Sequence, residues 1–381
     1  MMTSPSPPSR VERAPRRVVR RASLLASLAC AGAVLGTSLS SHGGPPAGDP
    51  PFAVVDLHVD VPWQVHFKKR APSLTEGHAN LKALVAGHYI GLVFPIYLPD
   101  SAHKDGAHIE DADAIFATIE SIIAKSPAFL PLGATTAEPG KISTFLAIEG
   151  AGAFARDITA IDRFIDRGLR LVSPCHAKNT ALASAATGAK VDFGLTPLGK
   201  DFAERVYRRG ALMDVSHVSD AAFADIAAIA RTHGAPIVAT HSNARALGRH
   251  PRNLTDDQLR AIAASGGVAG LNFHAQFVTG TNEATLADVV EQAEHMVKVA
   301  GIDHVAIGSD FDGGIRVPEG LEDASTFPAL AKALRKRGMS DDDVLKIFSL
   351  NALRVLGWRP VSMLPLDGGA PAPGPDAGTN R

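Results

Sequence analysis

In "VVDLHVDVPW", His58 and Asp60 stand two residues apart at the end of a β-branched run. Residues i and i+2 of a strand point to the same side, so the pair shares a face wherever the strand continues that far. An imidazole beside a carboxylate forms an ion pair or supplies two ligands to a metal ion, and this stretch alone leaves both open. Other apolar runs end the same way. Glu149 closes "ISTFLAIEG", His176 closes "LRLVSPCH", His217 closes "ALMDVSH", His241 closes "PIVATHS", and Asp310 sits in "HVAIGSDFD". Each has a structural explanation by itself: a histidine satisfied by backbone, a glutamate capping a helix, a strand-to-helix turn. As a set they are imidazoles and carboxylates ending six strands, and buried unpaired such groups are costly. A bound cation removes that cost.

Imidazole and carboxylate without thiolate suit zinc or another borderline divalent ion at a site open to water. His58, Asp60, Glu149, His217 and His241 outnumber the three protein ligands usual for one catalytic zinc. Two Zn2+ ions per chain sharing a carboxylate would use all five, with Glu149 the bridge because it lies between the other two pairs around the sheet. A water held between such ions is acidified into a nucleophile near neutral pH.

The elements that must bring these residues together alternate along the chain. Eight strand-like runs are separated mostly by helical stretches such as "TPLGKDFAERVYRRG" and "SDAAFADIAAIARTHG". Several stretches begin after Ser, Thr or Asp and end at Gly, as helix capping predicts. Strands alternating with helices give a parallel sheet covered on both faces, and eight units closing on themselves give a single (β/α)8 barrel of the TIM type. The polar residues then converge on the C-terminal mouth, where such barrels do chemistry. An open doubly wound sheet is the alternative, but no Gly-rich dinucleotide fingerprint follows the first strand.

The 381 residues are 45% hydrophobic and 20% charged, with a formal net charge of -1. That balance gives no electrostatic case for nucleic acid or an acidic membrane surface. Two cysteines, Cys30 and Cys175, build neither a disulfide framework nor a zinc finger. Residues 1–41 read as an export signal or N-terminal anchor: six arginines in the first 21 positions, then "ASLLASLACAGAVLGTSLS". Cleavage, retention as an anchor and lipidation at Cys30 all stay open, and membrane contact is expected only through this segment. Residues 42–50 form a linker, 51–360 the barrel, and 361–381 a Pro/Gly-rich tail expected to be disordered. The expected location is the periplasm or cell envelope, with no protein partner evident and a homodimer left open.

A resemblance then covers all but the two tails, roughly residues 51–358. "DLHVDVP", "AIEG", "LRLVSPCHAKN", "DVSHVSD", "THSNARALGRHPRNLTDDQL" and "AGIDHVAIGSDFDG" are similar to stretches of the membrane (renal) dipeptidases, zinc metallopeptidases of the amidohydrolase-like barrel type. The last two stretches carry the specific match, whereas H-x-D occurs in many hydrolases. The resemblance implies that His58, Asp60 and Glu149 bind one zinc, and that Glu149, His217 and His241 bind the other. It implies that His176 holds the tetrahedral oxygen, that Arg252 binds the substrate's C-terminal carboxylate, and that Asp310 handles protons or the free amino group. Three departures stand out. Val59 replaces an asparagine common in the family, and Ser349 and Leu350 replace glycines; both changes are expected to alter the pocket without touching a ligand. The mammalian lipid-anchor tail and disulfide are absent.

Arg252, in the "HPRN" turn, also reads on its own as a bidentate grip on a carboxylate, with a surface arginine as the alternative. Tyr97 in "PIYLP" reads as pocket wall or core, and Asp312 as structural. The expected function is therefore a binuclear zinc dipeptidase that cleaves dipeptides with free amino and carboxyl termini by attack of a metal-bridging water. The alternatives are another binuclear barrel amidohydrolase (D-aminoacylase, lactonase or phosphotriesterase) or a non-enzymatic exported binding protein. The first would usually bridge its metals with a carboxylated lysine ending strand four, where this chain has His176, with Lys178 already in the loop. The second would be favoured by a missing ligand.

Overall fold

The computed structural model describes residues 52–134, 138, 140–189 and 192–358. The proposed export segment with Cys30, the linker and the C-terminal tail lie outside the described residues. Eight parallel strands alternate with helices: β1 (Val54–Asp56), β2 (Tyr89–Tyr97), β3 (Ser143–Glu149), β4 (Leu169–Ser173), β5 (Leu212–Met213), β6 (Val238–Ala239), β7 (Val268–Leu271) and β8 (Val305–Ile307). They run in the order β5-β4-β3-β2-β1-β8-β7-β6. The two ends meet through one parallel bridge, Asp214 to Val238, where the Val215 N–H donates to the Val238 carbonyl at 2.8 Å. The fold is a TIM-like α/β barrel.

Local chemistry starts and stops the helices where the sequence signals them. Thr196 caps Pro197–Arg208, Ser219 caps Asp220–His233, and Thr255 and Gln258 form a reciprocal box before Asp256–Ala264. Gly234 ends the second of these at φ +59°, a left-handed conformation glycine adopts without strain.

The barrel interior is apolar below its mouth. Val55, Leu57, Val93, Leu171, Val238 and Val268 pack with Leu353, Leu356 and Trp358 at the end of the described chain. The helix Asn351–Leu356 is tied to the N-terminal ends of β7 and β8, because Asn351 donates to the Ile302 and Val305 carbonyls and Arg354 to those of Asp303 and Gly266. That end is plugged, so the C-terminal rim is where a ligand can enter. Among the described residues, no helix is long and apolar enough to cross a membrane.

Two expectations are corrected. Glu149 ends β3 as expected, but the other polar residues lie beyond their strands, since β1, β4, β5, β6 and β8 end at Asp56, Ser173, Met213, Ala239 and Ile307. Buried carboxylates replace ladder carbonyls there. Asp56 Oδ1 accepts the N–H groups of His58 and Ser309, joining β1 to β8, and Asp214 Oδ1 accepts those of Ser216 and Thr240, joining β5 to β6. Nor do Val59, Ser349 and Leu350 reach the pocket. Val59 is buried in the core, paired in parallel with Phe311, because alternation along the extended segment turns it away from its neighbours His58 and Asp60. Ser349 and Leu350 belong to the π-helical turn Lys346–Leu350 packed on the flanks of β1 and β8.

Candidate active site

At the mouth, side chains carried by separate strands come within 4.0 Å of the Glu149 carboxylate. Glu149 is central. Its Oε1 lies 2.8 Å from His217 Nε2, 3.7 Å from both His58 Nε2 and His241 Nε2, and 4.0 Å from His176 Nε2. His58 Nε2 is 3.3 Å from Asp60 Oδ2, and His217 Nε2 is 2.9 Å from His241 Nε2. His58, Asp60, Glu149, His217, His241 and Asp310 are all buried. Their ligand atoms form three compact groups: His58–Asp60–Glu149, Glu149–His217–His241 and His58–His241–Asp310.

The electrostatics are those of a donor set waiting for a cation. Burial works against charge on His58, but the carboxylates of Asp60 and Glu149 push it up to about 10. Burial, with the Arg252 guanidinium and neighbouring imidazoles, drives His217 and His241 well below the ordinary histidine value, so both are neutral. Against its own burial, Glu149 is held low by His58, His176, His241 and Arg252. Burial and the nearby Asp60 carboxylate raise Asp310 well above the usual carboxylate range. Both ring nitrogens of His58 are buried without a hydrogen bond. Neutral imidazole lone pairs, an orphaned ring and clustered carboxylates fit a divalent ion.

The first two groups have only Glu149 in common. The third would take His58 from one group and His241 from the other. Of the three pairings, only that of the first two groups shares a carboxylate rather than an imidazole.

Around this centre lies a chamber of about 220 Å3, with walls including Trp63, Tyr97, His176, Arg252, His274 and Phe277. Tyr97 meets His176 edge to face at 4.8 Å. Arg252 is buried, which removes the surface alternative; it donates to Ser242 Oγ at 3.2 Å, approaches His217 Nε2 at 3.2 Å, and lies over Phe277. A larger cavity of about 450 Å3, lined by Lys68, Lys69, Arg70 and His78 among others, shares only Gly314 with the chamber. Lys178 is exposed.

Asp310 and Asp312 both sit at positive φ, +63° and +68°, a strained conformation away from glycine that costs of order 1–3 kcal/mol each. Their surroundings hold them there. Asn272 donates to Asp310 Oδ2 at 3.0 Å, while Asp312 takes both Arg70 Nη atoms at 2.8 and 2.9 Å and the His78 and Ala79 N–H groups. Directly after Asp312, Gly313 is required by space: a Cβ would lie 2.4 Å from Asp310 Oδ1 and 2.6 Å from Asp60 Oδ2.

Sequence reasoning passed over Asp56, Asp214, Thr240 and Asn272, which aim the ligand-bearing loops, and Trp63, His274 and Phe277, which wall the chamber. For Asp56 and Asp214 a signal existed. Both stand two residues before a polar rim residue, in "DLH" and "DVS", where a side-chain oxygen can take that residue's N–H.

Known proteins share this arrangement of elements. The family described as Membrane dipeptidase (Peptidase family M19) matches residues 50–361. A metallopeptidase from Rhodobacter sphaeroides, solved with a phosphinate mimic of the dipeptide L-Ala-D-Ala, is 27% identical with a TM-score of 0.72, over 80% of this chain and 99% of its own. Dipeptidase AC, an M19 metallopeptidase, is 27% identical with a TM-score of 0.71, over 80% of this chain and 98% of its own. A probable dipeptidase from Pseudomonas aeruginosa, 24% identical with a TM-score of 0.72 over 80% of this chain and 95% of its own, shares the fold. Since the family match runs through nearly the whole described chain, this protein belongs to the membrane dipeptidase family, peptidase family M19.

Proposed function

We propose that the chain is a binuclear zinc dipeptidase acting on dipeptides with free amino and carboxyl termini. The observation that carries this reading is the pair of donor groups sharing only the Glu149 carboxylate. His58, Asp60 and Glu149 would hold one ion, and Glu149, His217 and His241 the other. When bound, the ions supply an acidified water near neutral pH and polarise the scissile carbonyl.

The chain's own residues do the rest. Arg252, buried against Phe277, offers a guanidinium to a carboxylate in the chamber wall, where burial strengthens a charged hydrogen bond. His176 reaches toward Glu149 from the side wall, and its imidazole is placed to donate to the oxygen that gains charge as the carbonyl becomes tetrahedral. Asp310, oriented by Asn272 and facing the Asp60 carboxylate, has a raised proton affinity that suits it to take a proton from the attacking water and return it to the leaving amine. Tyr97 and Trp63 form part of the chamber wall that would flank a bound dipeptide. The dipeptide mimic bound by the Rhodobacter sphaeroides metallopeptidase supports a substrate of this length. Action outside the cytoplasm is part of the proposal, supported by the arginine-rich, then apolar, N-terminal sequence.

The test is a panel of dipeptides, tripeptides, N-acetylated dipeptides and dipeptide amides on zinc-loaded enzyme. Free dipeptides should be turned over fastest. Arg252→Met should lower kcat/KM on dipeptides about tenfold to a hundredfold, from loss of a charged hydrogen bond of roughly 1.5–3 kcal/mol, with little further loss on the amides. Equal losses on both, or preference for blocked substrates, would remove the clamp and the dipeptidase reading with it.

A further inference from the structure

His241 differs from the other two imidazoles of the centre in what stands behind it. Its Nδ1 lies 2.7 Å from Thr240 Oγ1, and Thr240 Oγ1 lies 2.7 Å from Asp214 Oδ2. Asp214 is buried among donors: the Ser216 N–H at 3.0 Å, the Ser216 hydroxyl at 2.7 Å and the Thr240 N–H at 3.0 Å all reach Oδ1. With every neighbour donating, this carboxylate only accepts. The Thr240 hydroxyl has one hydrogen, and Asp214 Oδ2 at 2.7 Å takes it in preference to Ser216 Oγ at 3.1 Å, whose own hydrogen goes to Asp214 Oδ1. The Thr240 oxygen can then only accept from His241, so the ring proton sits on Nδ1 and the lone pair of Nε2 faces Glu149 and His217. Among the described residues, neither His58 nor His217 has a side-chain partner on Nδ1.

We infer that Asp214 and Thr240 form a positioning relay that fixes the His241 tautomer before any ion arrives, making the Glu149–His217–His241 group the preset half of the centre. This deepens the dipeptidase reading and rests on it for the identity of the ion. The relay also ties two jobs together. The carboxylate that closes the barrel between β5 and β6 is the one that orients the ligand, so closure and ligand geometry arise from the same four hydrogen bonds.

The test needs no turnover. In metal-free protein, imidazole 15N NMR should show His241 protonated at Nδ1. Thr240→Ser should keep that tautomer. Thr240→Val, nearly isosteric, should leave a mixture. Asp214→Asn should move the proton to Nε2, because an amide donating to Thr240 turns the hydroxyl toward the ring. Zinc titration should show one ion weakened about tenfold to a hundredfold in Thr240→Val, the other unchanged, and recovery in Thr240→Ser. Wild-type His241 protonated at Nε2, or Thr240→Val with unchanged tautomer and zinc affinity, would overturn the relay. Should wild-type protein take up no zinc, the dipeptidase reading fails, whereas the relay is still decided by the NMR of the metal-free protein.

Discussion

Asp310 is where residue chemistry separates two kinds of barrel hydrolase. It groups with His58 and His241 closely enough to ligate, yet burial and the Asp60 carboxylate also raise its proton affinity well above the usual carboxylate range, as a proton acceptor needs. A proton-transfer role predicts that Asp310→Asn keeps both metals and lowers kcat by about 10²–10⁴-fold, the usual contribution of a positioned carboxylate. His217→Ala should instead lose metal and activity together. Elemental analysis beside kinetics decides it: metal lost from Asp310→Asn and kept in His217→Ala would make Asp310 a ligand. The residues at issue were legible because each breaks an apolar run, and a polar group there needs a reason. The walls were not. Trp63, His274 and Phe277 look in sequence like any residues of short loops, and only closure of the barrel turns them inward.

Elements place these residues by tying loops down rather than by long ladders. The strand-and-helix alternation was readable because each apolar run is bounded by caps and glycines. The lengths were not, since β5 and β6 are only two residues each and their rim is held by Asp214. The same device operates on the loop after β8. Asp312 ties that loop to the segment after the first helix through Arg70, with both partners buried, and thereby fixes Gly313 against the Asp60 and Asp310 carboxylates. Arg70→Met should strand a buried carboxylate, at a cost of about 3 kcal/mol, the low end for a broken buried pair because two N–H groups still solvate Asp312. Urea unfolding would measure it, and kcat should fall as the loop loosens. An unchanged unfolding midpoint would mean the loop is held by something other than this pair.

For the whole molecule, the open end of the barrel concentrates what the plugged end excludes. Three carboxylates, three imidazoles and a guanidinium share one buried rim, while the other end is closed by Leu353, Leu356 and Trp358. Burying such a set without a cation leaves charges imperfectly paired, so ion binding should contribute to the stability of the entire fold. An ion present at a thousand times its Kd adds about 4 kcal/mol. Protein loaded with excess zinc and desalted should carry about two equivalents, and chelation should lower its denaturant midpoint accordingly, with restoration when zinc is returned. Glu149 belongs to both ligand groups, so Glu149→Ala should bring the content below one equivalent and place the variant's midpoint near that of chelated wild type. A content of one equivalent in the wild type that survives Glu149→Ala would show a single ion held by other residues, and the two-ion reading of the rim would have to be abandoned.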